Sequence, residues 1–510
     1  MASDILFHLE KNSRESLQSQ LRRAILNAIL NSTLPAGFKL PSSRKLATDL
    51  SISRNTAILV YQGLTDDGYL VTRERSGIFV NEDLVDGIEQ SKLSTDSAPA
   101  PKPEDIESPD WDNRLYLRPS ERHYLNLPKN WREIPYPFVY GQPDKRLFPL
   151  TAWRECSRLA LSTRDMADWI HDDKIYDDPQ LVEQIRTRLL PARGIHVSSD
   201  QILVTLGGQN ALFLLAGLLV RKQTRVAIEN PGYPDAKNIM QLFTDNLAAI
   251  PVDEKGMVID EKLNGCDYAF VTPSHQCPTT ITMPLTRRRK LLEKAEEQDF
   301  IIIEDDYENE INYFKSASPA LKALDNNDRV IYISSLSKTL FPGLRVGYVV
   351  AAPELIAELK YYRRLVVRYT PSNNQRTVAL FLSLGYYDSL IYSLRRRWHN
   401  RWNAVHKALR TYIPECSYSH SSGGTSYWVK VPEGISANRL VKEAYKDGVL
   451  IESGMPFFME SPAPDTHIRI GFTSIENAKI EPGIKRLGKT IDRLMEEPQE
   501  RENHPIPRKI

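Results

Sequence analysis

The sequence predicts a chain of two parts: a small helical module with a two-stranded wing, then a large α/β domain on a mostly parallel sheet. Apolar residues recur at every fourth position near the N-terminus, as in an amphipathic helix. Further along, apolar strand-like runs alternate with helical segments. Between 84 and 130 the chain becomes rich in Pro, Ser and Asp, which is typical of a linker. The 510 residues also exceed one hydrophobic core.

Residues 1–83 are predicted to form a helix-turn-helix with a wing. The first amphipathic helix follows from the spacing of Leu17, Leu21, Ile25 and Ile29. Pro41-Ser42-Ser43 offers a cap for a second helix, and Ser53 offers one for a third helix over 54–66. Two short helices joined in this way make a helix-turn-helix. Two β-rich stretches, 69–73 and 78–80, follow, and the tip between them has the shape of a wing.

The first turn of the third helix carries donors suited to DNA: Ser53, Arg54, Asn55 and Thr56. A recognition helix enters the major groove by its N-terminal turn, where such groups meet phosphates and base edges. Polar residues at a helix start also serve simply as caps. Taken by themselves, these four residues leave the two interpretations open.

The string LPSSRKLATDLSISRNTAILVYQGLTDDGYLVTRERSGIFV closely resembles the GntR-type winged helix over about 40 positions. The resemblance implies operator DNA as a partner. It also implies the DNA-contacting residues, which are Arg44, Arg54 and Thr56 in the helices and Arg73, Arg75 and Gly77 in the wing.

The bulk composition excludes several classes of protein. Basic and acidic side chains number 66 and 65, so a globally basic nucleic-acid binder is excluded while a local basic patch is not. The four cysteines lie far apart, which argues against a disulfide framework and a zinc site and fits a reducing cytoplasm. The N-terminus is too polar for a signal peptide. No apolar run reaches the roughly 18 residues of a membrane span, so neither a membrane nor a metal is expected.

In the large module, unusual residues follow the predicted strands 201–205, 225–229, 268–272, 300–304 and 329–334. In open α/β sheets, ligands bind beyond the carboxyl ends of the strands. Lys338, in Ser335-Leu336-Ser337-Lys338, stands just after one strand, where a lysine can form a Schiff base with an aldehyde. A lone lysine is more often a solvated surface residue.

Three further pieces lie at the same predicted edge. An apolar strand ends in carboxylates in the run Ile301-Ile302-Ile303-Glu304-Asp305-Asp306-Tyr307. Burying an unpaired carboxylate is costly, so a cationic partner is expected, and a protonated pyridine nitrogen is one such partner. Gly207-Gly208-Gln209 precedes a helix and exposes N–H groups to a phosphate. Arg345, seven residues after Lys338, suits the same phosphate.

Together these pieces resemble the fold-type I aminotransferases, which bind pyridoxal 5′-phosphate, from about 135 to 490. The strings TPSHQCPTT, IEDDYENE and SLSKTLFPGLRVGY are similar to those of the MocR/GabR regulators, in which such a domain follows a GntR-type winged helix. We therefore expect a cofactor and effector domain over 131–495, with a mostly parallel sheet and a smaller C-terminal α+β part, and a disordered tail over 496–510.

The resemblance implies a role for each matching residue. Lys338 would be the Schiff-base lysine, Asp305 would pair with the pyridine nitrogen and Tyr307 with the ring hydroxyl, and Tyr233 would stack on the ring. Arg469 would hold a carboxylate of the substrate or effector, and Tyr176 would reach the phosphate in the neighbouring subunit of a homodimer, often exchanged head to tail. The phosphate cup would comprise Gly208, Gln209, Ser335, Ser337 and Arg345.

Departures from related sequences bear on the function and on the effector. Cys277 stands where an asparagine usually hydrogen-bonds the ring hydroxyl, and a thiol is a poor substitute. MocR-type proteins commonly lack that asparagine, so the change favours a sensor over an efficient enzyme. Asp235 stands where the GABA-responsive member has an arginine for the effector carboxylate. We therefore predict an effector other than GABA, suited to carry an extra amino group.

The sequence is compatible with two functions and argues against a third. The first is a transcription regulator, not an enzyme, in which a small amino compound displaces Lys338 to form an external aldimine and shifts operator affinity. The second is an active aminotransferase with an accessory DNA-binding module. The third, a penicillin-binding type enzyme with Ser335-Leu336-Ser337-Lys338 as S-x-x-K, is disfavoured because Leu340 follows Lys338-Thr339 and no K-T-G triad is present.

Overall fold

The computed structural model describes residues 7, 9–10, 13, 15–83, 109–122, 124–125, 127–166, 176–313, 318–419 and 423–496. By contacts the chain separates into two compact units, Met1–Leu117 and Arg118–Ile510. Most of the predicted linker, 84–108 with its Pro-rich stretch at 98–103, and the predicted tail from 497 onward lie outside the described residues.

The first unit contains the three predicted helices, α1 (Leu17–Leu30), α2 (Ser43–Asp49) and α3 (Arg54–Asp66). Both predicted caps are present. The Ser42 hydroxyl accepts from the backbone N–H of Lys45, and the Ser53 hydroxyl accepts from that of Thr56 at 3.0 Å. These bonds satisfy N–H groups that a helix start leaves free, so the caps fix where α2 and α3 begin.

The wing is an antiparallel pair, β1 (Leu70–Arg73) and β2 (Gly77–Val80), in which Arg73 lies opposite Gly77. The apolar faces of α1, α2, α3 and the wing meet in one core that includes Leu21, Ile25 and Leu64. Leu46 and Tyr61 are buried in it as well. The winged-helix prediction is confirmed.

The described part of the predicted linker, which composition placed over 84–130, differs from the sequence prediction. A short helix, α4 (Trp111–Arg114), lies inside it, with Asp110 as its N-cap. The second unit begins at Arg118 rather than at 131. Residues after 117 contact it directly: Arg122 donates a hydrogen bond to the Gln241 side-chain oxygen at 2.8 Å. These contacts join widely separated parts of the chain, which local composition does not encode.

The second unit is built on an eight-stranded sheet of order β4-β11-β10-β9-β8-β5-β6-β7. The pairs β10–β9, β9–β8, β8–β5 and β5–β6 are parallel, whereas β11 is antiparallel to both its neighbours and β7 is antiparallel to β6. The strands are β4 (Ile202–Thr205), β5 (Val226–Asn230), β6 (Leu247–Asp253), β7 (Gly256–Met257), β8 (Tyr268–Val271), β9 (Ile301–Asp306), β10 (Val330–Ser335) and β11 (Gly347–Val350).

Helices cover both faces of this sheet because its strands are apolar on both sides. Neighbouring strand residues point to opposite faces, so Leu203 packs in one cluster while Val204 packs in another. The α-helices of the second unit, of which those near the C-terminus pack on the smaller sheet instead, are α5 (Leu150–Ala160), α6 (Thr163–Met166), α7 (Pro179–Gln184), α8 (Gly208–Leu219), α9 (Pro234–Met240), α10 (Leu285–Gln298), α11 (Leu321–Leu324), α12 (Pro353–Val367), α13 (Ser372–Ser383), α14 (Tyr386–Tyr412), α15 (Ala437–Lys446) and α16 (Asn477–Glu496). The mostly parallel α/β fold predicted from the sequence is confirmed.

A smaller antiparallel sheet of order β12-β13-β16-β15 forms the C-terminal part of the unit. Its strands are β12 (Ser417–Tyr418), β13 (Ser426–Lys430), β15 (Glu452–Ser453) and β16 (His467–Gly471), and β14 (Val449–Leu450) pairs separately with β3 (Tyr136–Pro137). Register places Glu452 directly opposite Arg469. Among the described residues, no helix has both the length and the apolar character needed to cross a lipid bilayer.

Candidate functional site

A cavity of about 280 Å³ opens at the carboxyl ends of the central strands of the large sheet. Lys338, which follows β10, and Asp305, near the end of β9, both line it. Every cofactor or effector residue named from the sequence lines this cavity except Tyr176. Tyr176 is 74% exposed and lies apart from the cavity of its own chain.

The three consecutive acids of β9 do not share one environment. Strand residues alternate between the faces of a sheet, so Asp305 lies on the opposite face from Glu304 and Asp306. Glu304 accepts the backbone N–H groups of Leu321 and Lys322 at 2.9 and 3.0 Å. Asp306 is paired with Arg193 at 2.8 Å. Both are therefore structural carboxylates, and Asp305 is the one that faces the cavity.

Asp305 is a buried carboxylate without a partner among the described residues. Its Oδ1 atom accepts no hydrogen bond. Burial, reinforced by the charge of Asp306, raises its pKa to about 7. An unpaired buried carboxylate is costly, so a cationic group bound beside it would be stabilised strongly. The ring nitrogen of a protonated pyridine is such a group.

Lys338 carries an amine suited to nucleophilic chemistry. No described residue accepts a hydrogen bond from its Nζ atom, which lies 4.5 Å from the centre of the Tyr140 ring. Burial lowers the pKa of Lys338, although the charge of Glu308 opposes that shift. A larger share of the amine is therefore neutral than for a surface lysine, and the neutral form is the nucleophile.

The start of α8 and the loop after β10 form a cradle for an anion. Gly207 has a φ of +84°, and a side chain there would lie 3.2 Å from the Arg345 guanidinium, so the glycine lets that group approach the helix start. Arg345 makes no ion pair with a described residue. The Ser337 hydroxyl is buried with no described partner. Free donors at a helix N-terminus fit a phosphate group.

Arg469 lies in the same cavity but is already paired. Its Nε atom donates to Glu452 at 2.7 Å, across the β15–β16 register. Its guanidinium lies 3.9 Å from the centre of the Tyr140 ring and 4.7 Å from that of Phe457. The terminal nitrogens have no described acceptor, which leaves them able to bind a carboxylate or another anion.

Three other predicted residues have specific partners in the cavity. The Tyr307 hydroxyl, expected to pair with a ring hydroxyl, donates to the carbonyl oxygen of His275 at 2.8 Å. The Tyr233 hydroxyl donates to Asp235 at 3.1 Å. Burial raises the pKa of Cys277 to about 12, so its thiol stays neutral and is a weak hydrogen-bonding group.

Several residues that line the cavity were not found from the sequence. They are Leu125, Leu127, Tyr140, Gln142, Pro342 and Glu452. Only Pro342 belongs to a string quoted for the site, and two of the others, Leu125 and Leu127, fall in the segment that composition assigned to the linker. Glu452 could have been found only from the cross-strand register, which pairs it with Arg469.

On the winged helix, the candidate DNA-contacting side chains divide into two groups. The hydroxyls of Ser53 and Thr56 bond to each other at 2.8 Å in the cap of α3, so the structural interpretation applies to them. Arg54 and Asn55 are exposed and have no described partner, as is also true of Arg44 and Arg75.

In the wing, Arg73 pairs with Glu82 at 3.0 Å and lies 4.7 Å from the centre of the Phe79 ring. Gly77, with a φ of +120°, lies beside the Lys39 side chain. A glycine is favoured at that angle. The unpaired side chains at the tip and on α3 are therefore the ones free to meet phosphates.

No group of His, Cys, Asp or Glu among the described residues is arranged to hold a metal ion. The four cysteines are free and buried. The donor set that does converge comprises one unpaired carboxylate, one amine and an anion cradle. That set fits a small phosphorylated pyridine carrying an aldehyde, because each of its groups meets an unpaired partner.

Each of the two units matches a different protein family, and the boundary between the units falls in the gap between the two matches. Residues 17–80 match bacterial regulatory proteins of the gntR family, and residues 143–487 match aminotransferases of class I and II. The chain is similar to the HTH-type transcriptional regulator TauR of Rhodobacter capsulatus, with 37% identity over 95% of this chain and 98% of TauR.

Two further comparisons concern one regulator and one enzyme. The probable rhizopine catabolism regulatory protein MocR of Rhizobium meliloti is 29% identical over 94% of each chain. The crystal structure of Pyrococcus horikoshii kynurenine aminotransferase in complex with PMP superposes with a TM-score of 0.68 at 28% identity. That match covers 75% of this chain and 98% of the enzyme, so an enzyme-sized domain accounts for three quarters of the chain.

Proposed function

This chain belongs to the MocR-type transcriptional regulators, which join a GntR domain to a class I and II aminotransferase domain, and we propose that it senses a small amino compound at Lys338. The observation that carries the proposal is the cavity around Lys338, in which Asp305, Arg345 and Arg469 each offer an unpaired group to a ligand. The family and the fold predicted from the sequence are confirmed.

Pyridoxal 5′-phosphate is the cofactor of the aminotransferase-like domain, as the sequence predicted. When bound, it supplies an aldehyde carbon that bonds covalently to a primary amine. We assign that amine to Lys338, the charge opposite the pyridine nitrogen to Asp305, and the stacking ring to Tyr233. We assign the phosphate to the anion cradle, which comprises Gly208, Gln209, Ser335, Ser337 and Arg345.

Sensing requires that an amino effector take the place of Lys338. Arg469 would orient the effector through an acidic group, because its terminal nitrogens remain free while Glu452 holds its Nε atom. The effector changes operator affinity only if it binds one conformation of the regulator better than the other. Release of a lysine side chain is a local change that supplies such a difference.

The effector class follows from the charge around Arg469. Glu452 already balances that guanidinium, and Asp235 adds a further carboxylate to the same cavity. This environment supports an effector with an extra amino group and disfavours GABA. A thermal-shift screen of the holoprotein against amino acids, diamines and sulfonated amines tests it, because a ligand raises the melting temperature by mass action. A shift with GABA and none with diamino compounds would contradict the proposal.

A second function, catalysis of transamination, is supported by the complete lysine, aspartate and arginine set in an aminotransferase fold. The two functions separate in one assay. The holoprotein is mixed with pairs of amino and keto acids, and product is followed over many turnovers. We expect at most one equivalent of product per site. Sustained turnover at enzyme-like rates, about 1 per second or more, would favour the enzyme.

We also propose a homodimer in which Tyr176 reaches the phosphate of the neighbouring subunit. The exposure of Tyr176 and its distance from the cavity of its own chain support a role across an interface. Tyr176→Phe should weaken cofactor binding in the dimer without changing its sedimentation coefficient. A Tyr176→Phe variant with unchanged cofactor affinity would remove this residue from the site.

A further inference from the structure

A second, smaller cavity lies on the other side of Lys338. It measures about 10 Å³, close to the space occupied by one water molecule. Lys338 lines both cavities, so its side chain forms part of the wall between them. We call the smaller space the rear cavity. Its lining comprises Gly141, Pro143, Glu308, Ile311, Lys338, Thr339, Trp398, Thr425 and Thr473.

Glu308 is the acidic residue of the rear cavity and is only half satisfied. It is 2% exposed. Its Oε1 atom accepts hydrogen bonds from the hydroxyls of Tyr140 at 2.8 Å and Thr425 at 2.6 Å. Its Oε2 atom is buried and accepts none from a described residue. A buried carboxylate in this state needs a cation or a further donor.

Trp398 adds an unused donor to the same wall. The residue is 2% exposed, and its indole Nε1–H is buried without an acceptor among the described residues. A bound water needs two to four polar partners. The rear cavity has about the volume of one water, and the Trp398 Nε1–H and Glu308 Oε2 would supply an unpaired donor and an unpaired acceptor. An ammonium group has nearly the same size and the opposite charge to Glu308.

Gly141, which lines the rear cavity, leaves room for the amine of Lys338. This glycine has a φ of +67°, and a Cβ atom there would lie 3.0 Å from Lys338 Nζ. The neighbouring Tyr140 contacts both Lys338 and Glu308. Its ring lies 4.5 Å from Nζ while its hydroxyl bonds to Glu308. The electron-rich ring face attracts a cation, so it favours an ammonium group beside it.

We propose that Glu308 is the positioning residue that holds the ε-ammonium of Lys338, directly or through one water bonded to Trp398, whenever Lys338 is not bonded to the cofactor. The rear cavity is the site that receives the released side chain. Glu308 thereby stabilises the released state of Lys338, which is the state that an amino effector must produce. Of the charged groups around Lys338, Glu308 is the one that most strongly opposes the lowering of its pKa.

The proton count of the exchange is consistent with this role. The carbon–nitrogen bond to the incoming amine forms as the one to Lys338 breaks, no electrons are transferred, and every proton that the incoming ammonium nitrogen gives up is gained by the Lys338 nitrogen. This step rests on the proposed sensing function. The placement of the free ammonium beside Glu308 does not, because it is a property of the protein without cofactor, effector or DNA.

The test is therefore made on the full-length apoprotein. The rate at which acetic anhydride labels Lys338 is measured against pH by peptide mass spectrometry, which gives the midpoint of its titration. Glu308→Gln should lower that midpoint by about one pH unit or more, because an opposite charge a few ångströms away shifts a pKa by that order. Asp305, Cys277 and Arg469 also face Lys338 and stay the same in every variant.

Two variants serve as controls. Thr425→Val removes a hydrogen bond to Glu308 but keeps its charge, so the midpoint should change little. Glu308→Asp keeps the charge and should restore most of the shift. An unchanged midpoint in a folded Glu308→Gln protein, verified by circular dichroism, would overturn the proposal.

A crystal structure of the wild-type apoprotein tests the same point without a substitution. It should place Lys338 Nζ within hydrogen-bond distance of Glu308 Oε2 or one water away. An Nζ atom turned toward Asp305 and beyond reach of Glu308 would contradict the proposal. Neither experiment depends on finding an effector, so its result is separate from that of the ligand screen.

Discussion

The candidate side chains of the winged helix are mostly exposed and lie close together in the sequence, whereas those of the cofactor cavity are mostly buried or half-buried and come from distant segments. Arg54 and Arg75 have no described partner, but both are exposed to solvent. Asp305 also lacks a partner, but burial raises its pKa to about 7. An unpaired charge is inexpensive at the surface and costly in the interior.

This difference has a functional meaning. Exposed cations can meet a polyanion without rearrangement, and their contribution is screened by salt. A buried unpaired carboxylate instead stores free energy that a specific cationic ligand releases. The winged helix is thus ready for any DNA backbone, while the cavity is complementary to one cofactor. The four predictions below test this contrast, beginning with the largest expected effect.

Replacing Lys338 by Ala should abolish the absorbance near roughly 420 nm that a lysine-bound pyridoxal cofactor gives. The loss should be complete, because no other lysine lines the cavity among the described residues. The measurement is an absorption spectrum after addition of the cofactor. Lys290→Ala, on the exposed side of α10, is the matched control and should keep the band. Absorbance that survives in the Lys338 variant would show that the lysine is wrongly assigned.

Replacing Asp305 by Asn should stabilise the apoprotein at pH 8 and weaken cofactor binding. The folded pKa of about 7 lies above the unfolded value of about 3.9. Between these values the folded state retains a proton that the unfolded state has lost, so wild-type stability falls as pH rises. This group contributes a slope of at most about 1.4 kcal/mol per pH unit. The variant should lack that contribution.

Thermal unfolding of both apoproteins from pH 4 to pH 8 measures the difference. Asp306→Asn provides the contrast, because it breaks the buried pair with Arg193 and should destabilise the protein by about 3–5 kcal/mol. A stability difference between wild type and Asp305→Asn that does not grow with pH would show that Asp305 is not an unpaired charge in the apoprotein.

Replacing Arg54 by Ala should weaken operator binding by about 1–3 kcal/mol if its guanidinium reads a base edge. Fluorescence anisotropy with a DNA fragment selected by the wild-type protein measures the affinity. Gln62→Ala is the control, since Gln62 is exposed on the same helix, α3, and lies two turns from its start. Unchanged affinity in the Arg54 variant would reduce that residue to a structural role.

The smallest effect concerns the two arginines of the wing. Arg75→Ala should reduce the salt dependence of DNA binding by about one unit of slope, as expected for one lost phosphate contact. Arg73→Ala should have a smaller effect, because that side chain is already paired with Glu82. Affinities measured over a series of salt concentrations decide between them. Equal losses in the two variants would show that the Arg73–Glu82 pair opens on DNA.

Local patterns predicted the elements and most of the site. The caps at Ser42 and Ser53 are single-residue signals for a helix start, and the structure contains both. The strands that carry Asp305 and precede Lys338 were found because apolar runs mark buried parallel strands. Family strings then selected Asp305 among three adjacent acids, and strand alternation supplies the physical reason for that choice.

Local patterns could not show where the linker ends and the second unit begins. They also could not show which charged groups of the site have partners. Residues 118–130 have a linker-like composition, yet they belong to the second unit, in which Arg122 bonds to Gln241 and Leu125 lines the cofactor cavity. The sequence named Arg469 without its partner Glu452, and it gave no sign that Glu308 lies behind Lys338. These contacts join strands and loops that are far apart in the chain.

The sequence by itself determined where the helices of the first unit and the central strands of the large sheet lie, which residue types reach the carboxyl edge of that sheet, and the order of the two units. Periodicity, caps and motifs are local properties, so a single sequence carries them. Only the tertiary structure decided which charges are paired. Pairing depends on distances between distant segments and on burial, and among the described residues these leave Asp305 and one oxygen of Glu308 without partners while Glu304, Asp306 and Arg469 have theirs.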